Sequence, residues 1–381
     1  MSASNESGSL AAHGRAAIPG DPPPIRTRTI DHGRTTLEET PEGSNWGDFG
    51  PDDQRGRLNL LTPEKVLQGI AEVREGLAFC LSLPLDYPGG NAMNVNRLPP
   101  ILRPLLRKGG VNMNYQYQWI PGRPPDVLSD DLAILHLQYS TQWDALSHVG
   151  ALFDANDDGV PEPLYYNGFS AGGDVEGPSA LEDCGIAGAI KPHSTSCAHA
   201  LGIERMAETC VQGRGVMIDL HHHFGLDRTH IGYDELMRVL EADRVEVEAG
   251  DIVCLHTGYA EALLGINRNP DPAVLERLAA VLDGNDSRLL NWITDSDLVA
   301  IAADNYSVEI FPAGHAGDCC SVMPLHHHCL FKLGVHLGEL WRLTPLANWL
   351  RANGRNRFLL TAPPLRLPGA VGAPLNPIAT V

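Results

Sequence analysis

Between Gln138 and His148 the chain reads Gln138-Tyr139-Ser140-Thr141-Gln142-Trp143-Asp144-Ala145-Leu146-Ser147-His148, a set of metal-capable and proton-transferring side chains in one short loop. The preceding Asp131-Leu132-Ala133-Ile134-Leu135-His136-Leu137-Gln138 predicts a strand, and its period of two puts Leu132, Ile134, His136 and Gln138 on one face. Gln138 then ends the strand pointing toward the loop. A second polar pair, His327 and Glu339, stands twelve positions apart around a short helical pattern ending at Gly334. The two segments predict one divided active site.

The rest of the chain alternates. Strands are expected at Phe79–Leu83, Gly215–Leu220, Asp251–His256 and Val299–Ala302, and helices near Ile203–Cys210, Tyr233–Ala242 and Pro272–Leu282. Thr62-Pro63 opens a helix whose apolar face is Leu67, Ile70 and Val73, and Thr344-Pro345 opens one running to Asn353 with Gly354 as its stop. This pattern defines an α/β class. Residues 85–127, rich in Pro, Gly and Asn, read as an irregular surface excursion or a lid over a pocket.

With 381 residues, 43% of them hydrophobic and 20% charged, the chain can bury an ordinary core. A formal charge of -19 argues against nucleic acid or an anionic membrane and favours a small-molecule substrate. The polar first residues predict a flexible arm over 1–44 ahead of a domain over 45–381, and no apolar run reaches the ~18 residues of a membrane span. Eight cysteines without CxxC or disulfide spacing point to a reducing cytoplasm. Cys254 reads as a small buried hydrophobe, and adjacent Cys319 and Cys320 as residues of a Gly-rich loop.

A divalent metal needs several convergent oxygen or nitrogen donors. Asp144 and Glu339 offer carboxylates, His327 an imidazole, and Gln142 and Gln138 amide oxygens. His148 remains for proton transfer, since an imidazole titrating near ~6.5 can take a proton from a metal-activated water or give one to a leaving group. Taken alone, Asp144 and Gln142 would be turn residues, His148 a structural histidine and Glu339 half of a surface ion pair. His221-His222-His223 is a weaker candidate, because neighbours on a strand point to opposite faces; one of them, or His256 or His315, could line the pocket.

The loop resembles the His-x-Gly-Thr-His-x-Asp-x-Pro-x-His signature of the cyclase-type metal hydrolases, which include kynurenine formamidase and isatin hydrolase. Thr141, Asp144 and His148 align with it without gaps, and His327-His328-Cys329-Leu330-Phe331 through Gly334 to Glu339 is similar to the family's distal pattern. Only the spacing to Glu339 selects His327 over His326 and His328. Arg214–Asp219, Gly250-Asp251-Ile252-Val253 with Thr257-Gly258, and Ala303-Asp304-Asn305 through Glu309 look similar too, so the likeness covers residues 45–350. Asn45-Trp46-Gly47 and the Ser-Thr-Gln-Trp-Asp run resemble a longer branch of the family.

The resemblance implies a swivelling β/β/α single domain and a metal-dependent hydrolase that attacks an amide, cyclic amide or lactone carbonyl through a metal-activated water. It implies Gln142, Asp144, His327 and Glu339 as metal-holding residues and His148 as the catalytic proton shuttle. Gln138, Tyr139 and Trp143 are expected at the substrate, with Tyr165 and Tyr166 as further aromatic wall. Amides at Gln138 and Gln142, where two-metal members carry His, argue for one divalent ion per chain, manganese or zinc. His136 lies two strand residues too early to replace a missing histidine. Relatives assemble as homo-oligomers, so the same is expected. Asp304 and Asn305 read as buried support. Alternatives are a cyclase or dehydratase on the same fold, or a non-catalytic binding protein that has lost its metal.

Overall fold

Unbroken apolar runs fold here as strands covered on both faces, the expected fate of Val, Ile and Leu stretches in a parallel sheet. The main sheet comprises nine strands, numbered in chain order: β1 (Ala78–Cys80), β2 (Gln142–Asp144), β3 (Gln212–Asp219), β4 (Ile252–His256), β5 (Ala300–Ala303), β6 (His336–Glu339), β7 (Arg357–Thr361), β8 (Gly372–Pro374) and β9 (Ile378–Thr380). Their spatial order is β1-β9-β7-β3-β4-β5-β6-β2-β8. Strands β3 to β6 are mutually parallel, and the flanking strands join antiparallel.

The computed structural model describes residues 39–381, except 121, 123, 186–190, 312, 314–320 and the side chain of Trp119. The arm expected over 1–44 therefore lies outside the described residues up to 38, as do His315, Cys319 and Cys320. Residues 39–44 run against the core, where the Glu39 amide donates to the Ala155 carbonyl and Lys332 Nζ to that of Glu42. The described residues belong to one compact unit. No helix among them is long and apolar enough to cross a membrane.

Period-two alternation divides the core between the faces of the sheet. Val216, Ile218, Val253, Leu255, Ile301 and Leu337 face a core shared with α2 (Tyr233–Asp243) and α3 (Ser287–Asp295). Met217, Cys254, Ala300 and Ala302 face another, shared with α4 (Thr344–Ala352). Cys254 is fully buried, and that burial pushes its thiol pKa up, in keeping with a small hydrophobe. The α/β class follows directly.

Several local expectations are corrected. The first helix, α1 (Pro63–Ala71), exposes Leu67 and Ile70 and buries Lys65 and Gly69 instead. Lys65 reaches Asp251 at 3.1 Å, and a Cβ on Gly69 would stand 2.7 Å from the Gly213 carbonyl, so close backbone contact with β3 chooses this face. The helix expected over Pro272–Leu282 stops at Leu275, and Ala280–Leu282 pairs as a strand with Thr229–Ile231 because all three residues are buried. His221–His223 sit on a short helix, Leu220–Phe224, not a strand. The strand before the signature ends at Ile134, paired with Ile101–Pro104. The described residues of 85–127 hold strands of two-stranded ladders and a 3-10 turn at Tyr117–Trp119.

Candidate metal centre

The signature is more than a loop, because Gln142, Trp143 and Asp144 form β2 inside the main sheet. Gln142 pairs with Glu339 on β6 and Asp144 with Gly372 on β8. Alternation then turns Gln142, Asp144 and Glu339 to one face and Trp143 to the other. Thr141 pins this arrangement: its hydroxyl donates to the Leu340 carbonyl at 2.6 Å and accepts the Leu83 amide at 2.8 Å.

Asp144, Glu339 and His326 converge here, with one ligand-capable atom from each lying within 4.8 Å of the others. His326 Nε2 is 3.5 Å from Glu339 Oε1 and 3.9 Å from Asp144 Oδ2. All three side chains are buried. His327, the expected ligand, lies outside this cluster. Its ring packs on Phe331 with centroids 5.0 Å apart, and burial lowers its pKa to about 4. The histidine register moves by one because Pro324–His326 forms a short helix that continues as a π-helix through Leu333, and this winding turns His326 toward the sheet.

Glu309, also buried, holds His326 from behind: its carboxylate accepts from Nδ1 at 2.6 Å and from the amides of Leu325 and His326 at 2.9 Å. Gln142 Nε2 donates to Glu339 Oε2 at 3.0 Å, which leaves Gln142 Oε1 without a hydrogen bond. Both Asp144 oxygens are likewise buried and unbonded. Burial and the Glu339 charge raise the Asp144 pKa, whereas for Glu339 burial is outweighed by the His326 bond and charge together with the charges of Arg97 and His148, and its pKa is lowered. Burial opposes a charge on His326, yet its bonds to Glu309 and Glu339 push its pKa up to about 10. Such a donor set, two carboxylates, an imidazole and an orphaned amide oxygen, could hold a divalent cation, which would relieve the unbonded oxygens.

His148 stands at the mouth of this cluster, partly exposed, with Nε2 3.8 Å from Asp144 Oδ1. Tyr139 spends its hydroxyl on the backbone, accepting from Gly89 and donating to Gly90, and with Gln138 it lines a small cavity. Trp143, expected at the substrate, turns away from this cluster. It is fully buried in the opposite core, donates to the Ala362 carbonyl at 2.8 Å and packs edge-on against Trp341. Tyr166 is core as well.

The remaining polar candidates support other parts of the sheet. His136 Nδ1 lies 3.0 Å from the Leu98 carbonyl, and His223 is paired with Asp243. His256 bridges Asp219 and Thr344. Asp304 accepts from Thr257 and Gly258, and Asn305 donates to Ala280, as buried supports. Sequence reasoning missed His326, whose only signal was membership of a histidine triplet, and the role of Glu309.

Buried carboxylates on two inner strands, with unspent oxygens and an imidazole facing them, define a class of α/β protein built around a candidate metal centre. The family model described as "Putative cyclase" matches residues 111–310. The crystal structure of a novel cyclase is 31% identical, with a TM-score of 0.66, covering 89% of this chain and 97% of its own. The chain belongs to the cyclase family. Weaker likenesses include isatin hydrolase A from Labrenzia aggregata bound to benzyl benzoate (13% identity, TM-score 0.49, 83% and 97% covered). Another is a predicted metal-dependent hydrolase from Bacillus stearothermophilus (15% identity, TM-score 0.44, 80% and 98% covered). At those similarities neither says what this chain binds. No curated protein matches the chain.

Proposed function

We propose that this cyclase-family protein is a metal-dependent hydrolase that opens an amide, cyclic amide or lactone carbonyl of a small molecule. The observation that carries the reading is the convergence of Asp144, His326 and Glu339 in one buried site. Two carboxylates sharing such a site repel each other, and the Asp144 oxygens find no hydrogen bond, so a cation satisfies what the protein alone leaves unsatisfied. Asp144, Glu339 and His326 would hold one divalent ion, with Gln142 Oε1 as a neutral oxygen donor. This oxygen-rich set favours manganese over zinc.

When bound, the ion supplies Lewis acidity, which makes a water more acidic and polarises a carbonyl. The chain's own residues do the rest. His148 is near enough to the cluster to take a proton from the attacking water and exposed enough to return it to the leaving group or to solvent. Glu309 fixes the tautomer of His326 so that Nε2 faces the cluster. Gln142 steadies Glu339.

Metal equivalents per chain, measured on protein purified without added metal and beside Asp144→Ala, His326→Ala and Glu339→Ala, test the reading. One equivalent of manganese or zinc, lost in all three variants, followed by turnover of aryl formamides, isatin-like cyclic amides or lactones, is the expected result. Protein that stays metal-free after reconstitution with either ion sinks it.

A further inference from the structure

We infer that Arg97 and Gln138 form a carboxylate subsite beside the metal centre, and that the substrate carries an anionic group. The inference rests on the hydrolase reading and names its substrate class. Arg97 belongs to the excursion over 85–127, and one of its guanidinium nitrogens donates to the Gln138 carbonyl at 2.7 Å. That bond spends one of the five N–H donors of the guanidinium. Among the described residues no carboxylate lies within ion-pair distance of it. The charge of Arg97 favours the ionised forms of both Asp144 and Glu339.

Gln138 supplies an independent observation. Its Nε2 is buried and has no hydrogen-bond acceptor, although the residue lines the same small cavity as Arg97, Asn91, Asn94 and Tyr306. A buried amide donor and an underused guanidinium around one cavity call for the same partner, an oxygen anion. The cavity is small, about 10 Å³, close to what one water-sized oxygen occupies.

Calorimetric titration of the full-length, metal-loaded protein with benzoate and with benzamide tests the subsite without requiring turnover. Metal content is read on the same samples. Wild type should bind benzoate at least ~10-fold more tightly than benzamide. Arg97→Met should abolish that preference with metal content unchanged, and Arg97→Lys should restore part of it. Equal affinities in wild type, or a preference that survives in Arg97→Met, overturn the inference. Failure of the hydrolase reading shows separately, as absent metal.

Discussion

Nδ1 of His326 donates to Oε1 of Glu309 at 2.6 Å, and the same carboxylate accepts the amides of Leu325 and His326. One buried acid thus caps a short helix and aims an imidazole at Asp144 and Glu339. Glu309→Gln, which keeps the size but weakens the hold on Nδ1, should lower metal affinity about 10- to 100-fold. His326→Ala should abolish binding and His327→Ala should leave it unchanged, as read by competition with a chelator.

His148 touches the cluster from its exposed side, with Nε2 3.8 Å from Asp144 Oδ1. His148→Ala should therefore retain its metal while kcat falls ~10²- to 10⁴-fold on whichever substrate the wild type turns over. Loss of metal together with activity would make His148 a structural partner of Asp144 instead.

Trp143 belongs to the core behind the site. Trp143→Phe removes the donor to the Ala362 carbonyl and should cost about 1 to 3 kcal/mol in denaturant unfolding. KM should stay within about twofold of wild type. A large rise in KM with unchanged stability would return the side chain to the substrate wall.

Asp219 and His256 make a second buried pair at the carboxyl ends of the parallel strands, bonded at 2.7 Å, with Arg351 Nε on the other Asp219 oxygen at 2.8 Å. Burial works against both charges, yet the His256 and Arg351 bonds hold the Asp219 carboxyl well below its usual range, and the Asp219 bond lifts His256 above its ordinary value. The Asp219 contribution to stability is present above ~3.9 and is lost as pH falls below it. The His256 contribution is complete below ~6.5 and fades as pH rises through its folded value. Asp219→Asn should lower stability by about 3 kcal/mol at pH 5 to 6 and flatten the pH profile of the melting temperature on both sides. A profile parallel to wild type would count against the pair.

Much of this molecule is legible in the order of its residues. The strands expected at Asp251–His256 and Val299–Ala302, found at Ile252–His256 and Ala300–Ala303, are legible because their apolar character is continuous, and α4 because Pro345 and Gly354 punctuate it. Asp144, Gln142, Glu339 and His148 are legible only through the family pattern they resemble, whose spacing is a local property that survives folding. Other features depend on packing. Leu67 and Ile70 lie on the exposed side of α1 because the missing Cβ of Gly69 lets the helix backbone press on β3. Trp143 faces away from the Asp144–Glu339 cluster because antiparallel pairing with β6 and β8 makes it a strand residue.

By itself the sequence determined the α/β class, the two segments of the site and most of the residues that meet there. Only the tertiary structure decided that His326 rather than His327 faces the carboxylates, that Glu309 stands behind it, and that Arg97 and Gln138 leave donors unspent beside it. A histidine triplet offers three nearly equivalent rings to a helix, and rotation by one residue is set by which carboxylate the helix start docks against. That contact joins residues distant in the chain, so no local pattern carries it.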